Sequence, residues 1–471
     1  MSFHRDHYDA VVVGAGPNGL AAAITLKRKF RSVLLVEAKE TVGGGTRSAE
    51  LTLPGFIHDV CSAVQPLALS SPFFRQLELH RYGLEWIHPE IPLAHPFGDG
   101  EALCLHRSLA ATADALGPDG KAYRKMLQPF VENHERLLSD VLKPLPIPEN
   151  PILMARFGLK ALRSAKSLAE AKFRGARVRA LFAGLAAHAM IPLDQTATAA
   201  FGILLAVLAH SVGWPIVKGG SQGLADALAD CFRDQGGEIL TGITAGSLGD
   251  LPRAEYYFFD VTPRQLLNMG GLDLTENYRR RLSRFRYGPG VCKVDWALSG
   301  PIPWKAGVCR KAGTVHLGGS FEEIDAAIRD AHEGRNCPSP YVVLAQPSLF
   351  DLTRAPAGGH TAWAYCHAPH GSGEDVADLI EERIEHYAPG FRRLILAKSS
   401  LSPAAMERYN PNYVGGDING GLQDLLQLYS RPVLSFFPYR TSKKNIYICS
   451  SSTPPGGGVH GLCGYYAARG L

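Results

Sequence analysis

The chain has 471 residues, 46% of them hydrophobic and 20% charged, with a formal net charge of +5. This length suits two or three domain-sized cores, and the balance excludes a disordered or fibrous chain and gives no electrostatic case for nucleic acid. Nine scattered cysteines, with no CxxC pair and no metal-type Cys/His spacing, exclude a dense disulfide framework; a reducing compartment and no metal site are expected.

In chain order, Met1 to Tyr8 is polar, without an apolar signal core, so a cytoplasmic protein is expected. Tyr8 to Val13 is an apolar, β-branched run suited to a parallel strand buried on both faces. It leads into Gly14-Ala15-Gly16-Pro17-Asn18-Gly19, a helical stretch from Leu20 to Lys29, and a second apolar strand, Val33 to Val36, closed by Glu37 and Ala38. Gly14 permits the tight turn, and Gly16 lets backbone approach a pyrophosphate. Gly19 lets the helix pack on the sheet, and the helix N-terminus at Pro17 and Asn18 favours the anion. Glu37 stands where a carboxylate accepts from ribose hydroxyls.

A second glycine cluster, Val42 to Ser48, includes Gly44, Gly45, Thr46 and Arg47 and brings more backbone to the same ligand. Arg47 offers a fixed positive charge to a phosphate or to the flavin edge; as an isolated segment it also reads as a surface loop. The third piece is distal. A strand at Asn445 to Cys449 empties through Gly456, Gly457, Gly458, Val459, His460 and Gly461 into a helix from Leu462 to Arg469. Such a helix start favours the negative charge of a reduced flavin. One ligand touching both ends of the chain is better explained by FAD than by NAD.

These segments, with Leu53-Pro54-Gly55-Phe56, Trp214-Pro215, Gly219-Gly220-Ser221-Gln222 and Gly415-Gly416-Asp417-Ile418, resemble the phytoene desaturase, carotenoid isomerase and flavin amine oxidase superfamily. The likeness is nearest to its phytoene-dehydrogenase-like bacterial branch, which has mitochondrial relatives. It implies an α/β fold: a discontinuous Rossmann-type FAD-binding domain (1–106, 213–290, 404–471) interleaved with a sheet-plus-helices substrate domain (107–212, 291–403). It also implies non-covalent FAD, with the backbone of Ile243 or Thr244 against the adenine and Asp260-Val261-Thr262-Pro263 crossing back near the cofactor.

The expected reaction takes hydride from a C–H bond of an apolar, isoprenoid or carotenoid-like substrate, as desaturation or isomerisation, with electrons leaving to oxygen or a quinone. Amine oxidation is the alternative, with Trp296, Trp304, Trp363, Tyr365 and Tyr409 available for an aromatic cage; an FAD-bound scaffold is the third reading. His188 and His210 lie in an apolar segment, as proton acceptors or as satisfied core histidines. Asp417 either lines the pocket or forms a turn. No nucleophile elbow or HExxH motif is read. The lack of a CxxxxC and of a second fingerprint directly after a strand argues against disulfide reduction and a dedicated NADPH site.

Arg156 to Arg179 carries eight basic residues against Glu170, with Leu159, Leu162, Leu168 and Phe173 interleaved. As one amphipathic helix it would lie on an anionic membrane surface; the same pattern also suits a solvated face or a partner contact. Ala199 to Trp214, the most apolar stretch, is too short to span a bilayer. The oligomeric state is left open.

Overall fold

Two sheets organise the chain, which a computed structural model describes over residues 3–144 and 147–471. The first is parallel and five-stranded, in the order Ile446–Ile448, Arg253–Phe259, His7–Val13, Val33–Val36, Glu238–Leu240. Val12 of its central strand lies between Phe258 and Leu35. Strand side chains alternate between faces. Ala10 and Val12 therefore pack with Leu20, Ile24, Leu224 and Phe232 from helices Pro17–Lys27 and Gln222–Asp234. Val11 and Val13 pack with Leu266 and Leu282 on the opposite face. Each fully buried aliphatic or aromatic side chain contributes roughly 1.5–3 kcal/mol of hydrophobic stabilisation.

The second sheet has seven strands, in the order Ile395–Leu401, Gly290–Leu298, His360–Ala368, Val342–Ala345, Ala312–Leu317, Ile91–Pro96, Ala102–Leu105. A helical layer covers one face, with Phe182, Leu185, Ile203 and Val207 packed on Leu93, Val343 and Trp363.

Two sequence expectations need correction. Residues up to 106 were assigned to the cofactor unit, yet Ile91–Pro96 and Ala102–Leu105 belong to the seven-stranded sheet because Ile91–Pro96 pairs in parallel with Ala312–Leu317. The basic stretch from 156 to 179 is not one helix. Helix Pro151–Ala161 ends before Ser164, whose side chain accepts from Ser167 N–H and starts helix Ala165–Lys172; a third helix begins at Ala176. Leu168 and Phe173 face the core while Leu159 and Leu162 are exposed, so these apolar residues form no single stripe. Among the described residues no helix is long and apolar enough to cross a membrane.

Candidate functional site

Three glycine segments meet at the C-terminal edge of the parallel sheet. Gly14 takes φ +97°, a left-handed conformation that favours glycine, and directs the chain into helix Pro17–Lys27. A Cβ at Gly19 would collide with Gly14 O, so glycine there is what lets the helix close on the strand. The Gly44–Thr46 turn lies directly on this loop: Gly43 N–H donates to Ala15 O at 2.8 Å, and a Cβ at Gly44 would lie 3.0 Å from Gly16 Cα. Gly461, at φ +68°, begins the terminal helix Leu462–Arg469, and a Cβ at Gly464 would collide with Asn18 O. The two ends of the chain thus pack helix to helix.

These segments wall one end of a cavity of about 990 Å³, at the upper end of the range for ligand sites. Of the cofactor residues expected from the sequence, all but Gly19 and His460 border it. Gly19 N–H donates instead to Asp260 Oδ2 at 2.9 Å. His460 lies behind the third glycine segment, its Nδ1 accepting from Leu462 N–H at 3.0 Å. Burial pulls His460 down to about 4, so the ring is neutral at physiological pH.

Glu37, Arg47 and Asp260 are charged groups at this end engaged within the protein, and exposed Lys39 also borders the cavity. Glu37 accepts from Ala15 N–H at 2.8 Å and Lys39 N–H at 3.0 Å, and pairs with Arg47 Nη2 at 2.9 Å. Arg47 also donates to Thr41 O and Gly44 O, so it clamps the second glycine segment as well as bordering the cavity. Asp260 also borders the cavity; burial, reinforced by the charge of Glu37, pushes its carboxyl up to about 7.

The residues present fit a dinucleotide. Side chains at Gly16 and Gly44 would fill the space between the two loops. Three buried polar atoms on bordering residues, Asn18 Oδ1, Gln65 Oε1 and Thr262 Oγ1, have no protein partner and offer hydrogen-bonding capacity to a polar ligand. Cys463 does not border the cavity. Its thiol donates to Thr453 O and Gly456 O at 3.4 Å each, and burial pushes it up to about 12, against thiolate formation.

The other end of the cavity is apolar, with Phe201, Leu204, Leu205, Trp214, Val343 and Trp363 among its walls and His188 as the histidine. His210 is elsewhere. Its Nε2 meets Tyr123 Oη and its Nδ1 meets His106 O, both at 2.8 Å, so it is a satisfied core histidine. Asp417 is likewise removed from the cavity wall, accepting from Gly288, Asn419 and Gly421 N–H groups at 2.8, 2.7 and 3.0 Å. It organises a turn. Trp363, Tyr365 and Tyr409 border the cavity; Trp296 and Trp304 do not, their ring N–H groups being spent on Glu381 and Gln346.

Several buried polar clusters escaped the sequence reading. Lys293 pairs with Asp295 in the middle of a strand buried along its whole length, and Asp295 Oδ1 lies 3.6 Å from His58 Nδ1. Burial pushes the Asp295 carboxyl up to about 6, against the opposing charge of Lys293. Two charged residues at i and i+2 of an otherwise apolar strand were the available signal. Arg354, fully buried, bridges Asp59 and Asp351 at 3.0 and 3.1 Å. The spacing Gly-x-Ser-x-Gly does occur, at Gly219 to Gly223. Ser221 is not poised as a nucleophile, because its buried hydroxyl donates to Ser62 O at 2.6 Å and accepts from Gln65. Gly456 to Gly461 has dinucleotide-type spacing, but a loop separates it from strand Ile446–Ile448.

Comparison with known proteins bears on both halves. Residues 12–77 match the model of an NAD(P)-binding Rossmann-like domain. Over 99% of its length the chain is 28% identical to mouse pyridine nucleotide-disulfide oxidoreductase domain-containing protein 2, covering 93% of that protein. It is 31% identical to hydroxyneurosporene desaturase of Cereibacter sphaeroides over 49% of each chain. Among solved structures, an oxidoreductase from Methanosarcina mazei superposes with TM-score 0.65 at 15% identity, over 98% of this chain and 99% of the other. Cyclohexylamine oxidase from Brevibacterium oxydans gives 0.60 at 14%, over 98% of each. The fold is therefore of the flavin amine oxidase type, with a Rossmann-like dinucleotide-binding half.

Proposed function

We infer that the chain is an FAD-type oxidoreductase of the amine oxidase and desaturase superfamily, and propose that it oxidises an apolar, isoprenoid or carotenoid-like substrate at a carbon–hydrogen bond. The observation that carries this reading is a single cavity, walled by glycine backbone and Glu37 at one end and by apolar side chains at the other. The partial desaturase homologue and the amine oxidase fold support the same class.

When bound, FAD supplies a two-electron acceptor for a hydrogen leaving carbon. The chain supplies the rest. Gly14, Gly16 and Gly44 let backbone approach the diphosphate, and the first helix presents its positive end. Glu37 would accept from ribose hydroxyls, and the backbone of Ile243 and Thr244 would flank the adenine. Gly457, Gly458 and Val459, which border the cavity, would hold the flavin end. Phe201, Leu205 and Val343 exclude water and hold the reacting carbon in place. Either desaturation or redox-neutral isomerisation fits this arrangement; in desaturation the electrons pass on to oxygen or a quinone.

The cavity also borders an apolar surface. Phe157, Gly158 and Leu162 line it from one helix and Leu425, Leu428 and Tyr429 from another. Beside them Leu159 is 78% exposed and Leu426 74%. Exposed Arg156 lies on the first of these helices, and exposed Lys166 and Lys172 lie on the helix that follows it in the chain. We propose that this rim docks peripherally on an anionic membrane, at its cytoplasmic face, and admits substrate from it.

The amine oxidase reading rests on Trp363, Tyr365 and Tyr409 in the cavity wall. The bordering carboxylates Glu37, Asp140 and Asp260 each accept from backbone N–H groups, and among them Glu37 is also paired with Arg47. Anaerobic flavin bleaching with a panel of polyenes, isoprenoids and amines tests the assignment. Bleaching by a polyene or isoprenoid is expected. Bleaching by amines alone would replace the reading with amine oxidation, and neither bleaching nor an isomerised product from any compound would favour the scaffold.

A further inference from the structure

The loop that precedes the C-terminal helix is braced from behind. Ser451 O accepts from Arg431 Nη1 at 3.2 Å and Pro454 O from Tyr439 Oη at 2.9 Å. Thr453 O and Gly456 O take the Cys463 thiol already described. Arg431, Tyr439 and Cys463 all lie off the cavity wall, whereas Ser451, Pro454, Pro455, Gly457, Gly458 and Val459 border it. The loop thus spends four carbonyls on the protein interior. The N–H groups of Gly457, Gly458 and Val459 donate to no group among the described residues. Unspent backbone N–H groups on consecutive residues favour an anion.

Arg431 follows helix Leu425–Ser430 and is fully buried. Its guanidinium lies against the loop: a Cβ at Gly456 would stand 2.5 Å from Nη1, so glycine there is what admits it. Nη2 donates to Leu422 O at 3.3 Å, and Nε has no partner. A guanidinium stays charged, and a buried charge is ordinarily paired. Among the described residues Arg431 makes no ion pair, only these bonds to carbonyls. Burial works against its charge, and the groups near enough to favour it are Cys463, Asp417 and Asp424. Cys463 is a neutral thiol, being pushed up to about 12. Asp424 pairs instead with Arg286 at 2.6 Å, and Asp417 is engaged by three backbone N–H groups while burial raises its carboxyl. The chain therefore keeps a positive charge, with no carboxylate paired to it, one layer of backbone behind the cavity wall.

We propose that Arg431 raises the redox potential of the bound FAD, its buried charge stabilising the negative charge that reduction places on the ring beyond Gly457 and Gly458. The inference rests on the FAD reading above, in which Glu37 and the first two glycine segments take the adenosine diphosphate and the third segment takes the flavin. Hydride transfer moves two electrons and one proton from the substrate carbon to the ring. The carbon is oxidised and gains one positive charge; the ring is reduced and gains one negative charge. A fixed cation beside that ring favours the reduced form over the oxidised one. Arg431 touches neither substrate nor flavin in this account. It acts through space and by holding Ser451 O away from the cavity, so it is a positioning residue and moves no proton.

The test is the midpoint potential of FAD bound to the full chain, measured by equilibration with reference dyes, with the Kd for oxidised FAD measured alongside. Arg431→Gln keeps hydrogen-bonding capacity and removes the charge. It should weaken reduced FAD about 10- to 100-fold more than oxidised FAD, which lowers the potential by about 30–60 mV for a two-electron couple. Arg431→Lys, which keeps the charge, should hold the potential closer to the wild-type value. An unchanged potential in Arg431→Gln overturns the proposal, and if oxidised and reduced FAD weaken equally the cation serves the diphosphate instead. A loss in Arg431→Lys as large as in Arg431→Gln makes the effect one of shape and overturns it too. Should Arg431→Gln fail to fold, the wild type decides: its bound FAD must have a higher potential than free FAD, and a value at or below that of free FAD overturns the proposal. Absence of FAD binding by the wild type is seen in the titration alone and removes the FAD reading, and this proposal with it; a bound flavin of unaltered potential removes the proposal and leaves the reading.

Discussion

Arg47 Nη2 lies 2.9 Å from Glu37 Oε1 with both side chains buried, so the first and second glycine segments are locked together by one ion pair. Removing one partner of a buried pair strands the other charge, at a cost of about 3–5 kcal/mol. Arg47→Met should therefore lower the melting temperature of the cofactor-free protein and weaken FAD binding. Glu37→Gln in the same chain should restore part of the stability but not the affinity. Thermal melts and FAD titration of the two variants check this.

Asp260 predicts a pH dependence of definite sign. Its carboxyl is raised from 3.8 to about 7 in the folded chain, so between those values the folded state holds a proton that the unfolded state has released. Stability from this group is present at low pH and lost as pH rises towards 7, at about 1.4 kcal/mol per unit. The buried histidines slope the other way between about 4 and 6.5, so the comparison must be a difference. The melting temperature of Asp260→Asn minus that of wild type should grow from pH 5 to 7 and level off above. A flat difference would contradict the shift.

His210 predicts structure without chemistry. Tyr123→Phe leaves His210 Nε2 buried and unpartnered and should cost about 1–3 kcal/mol. The rate of flavin bleaching by an effective substrate should be unchanged once the variant is loaded with FAD. A selective loss of rate at normal stability would return His210 to the catalytic candidates.

The apolar rim predicts membrane binding through a few side chains. Leu159→Glu with Leu426→Glu should abolish flotation with anionic liposomes while leaving the melting temperature nearly unchanged, since both residues are exposed. Neutralising Arg156, Lys166 and Lys172 should weaken flotation and flatten its salt dependence. Undiminished flotation of both variants would remove the docking proposal.

Legibility in the sequence followed contact distance along the chain. The opening strand, turn and helix were readable because Gly14, Gly16 and Gly19 act within a few residues. The C-terminal helix was readable from the strand and the glycine run to Gly461 that precede it. The membership of Ile91–Pro96 was not, because its parallel partner begins at Ala312, and only long-range register assigns it. The basic stretch misled because charge pattern alone does not show a cap at Ser164 or the inward turn of Phe173.

In the site, residues that act through backbone were easier to read than those that act through side chains. Glycines at a fixed spacing carry their own geometry. His188 and His210 looked alike in the sequence, and what separates them is where each ring finds its partners. The setting of Arg431 between Leu422, Ser451 and Gly456 is likewise made by the fold, and charge pattern does not show it. Lys293 and Asp295, by contrast, were detectable as paired charges in a strand that should have none.

The most direct test of the account is titration of the cofactor-free protein with FAD, followed by denaturation to ask whether the flavin is released. The account predicts saturable binding of one FAD per chain, release of all flavin on denaturation, and loss of binding in Gly44→Val, whose side chain would press on Gly16. Failure to bind FAD at saturating concentration, or equal binding by Gly44→Val, would contradict it.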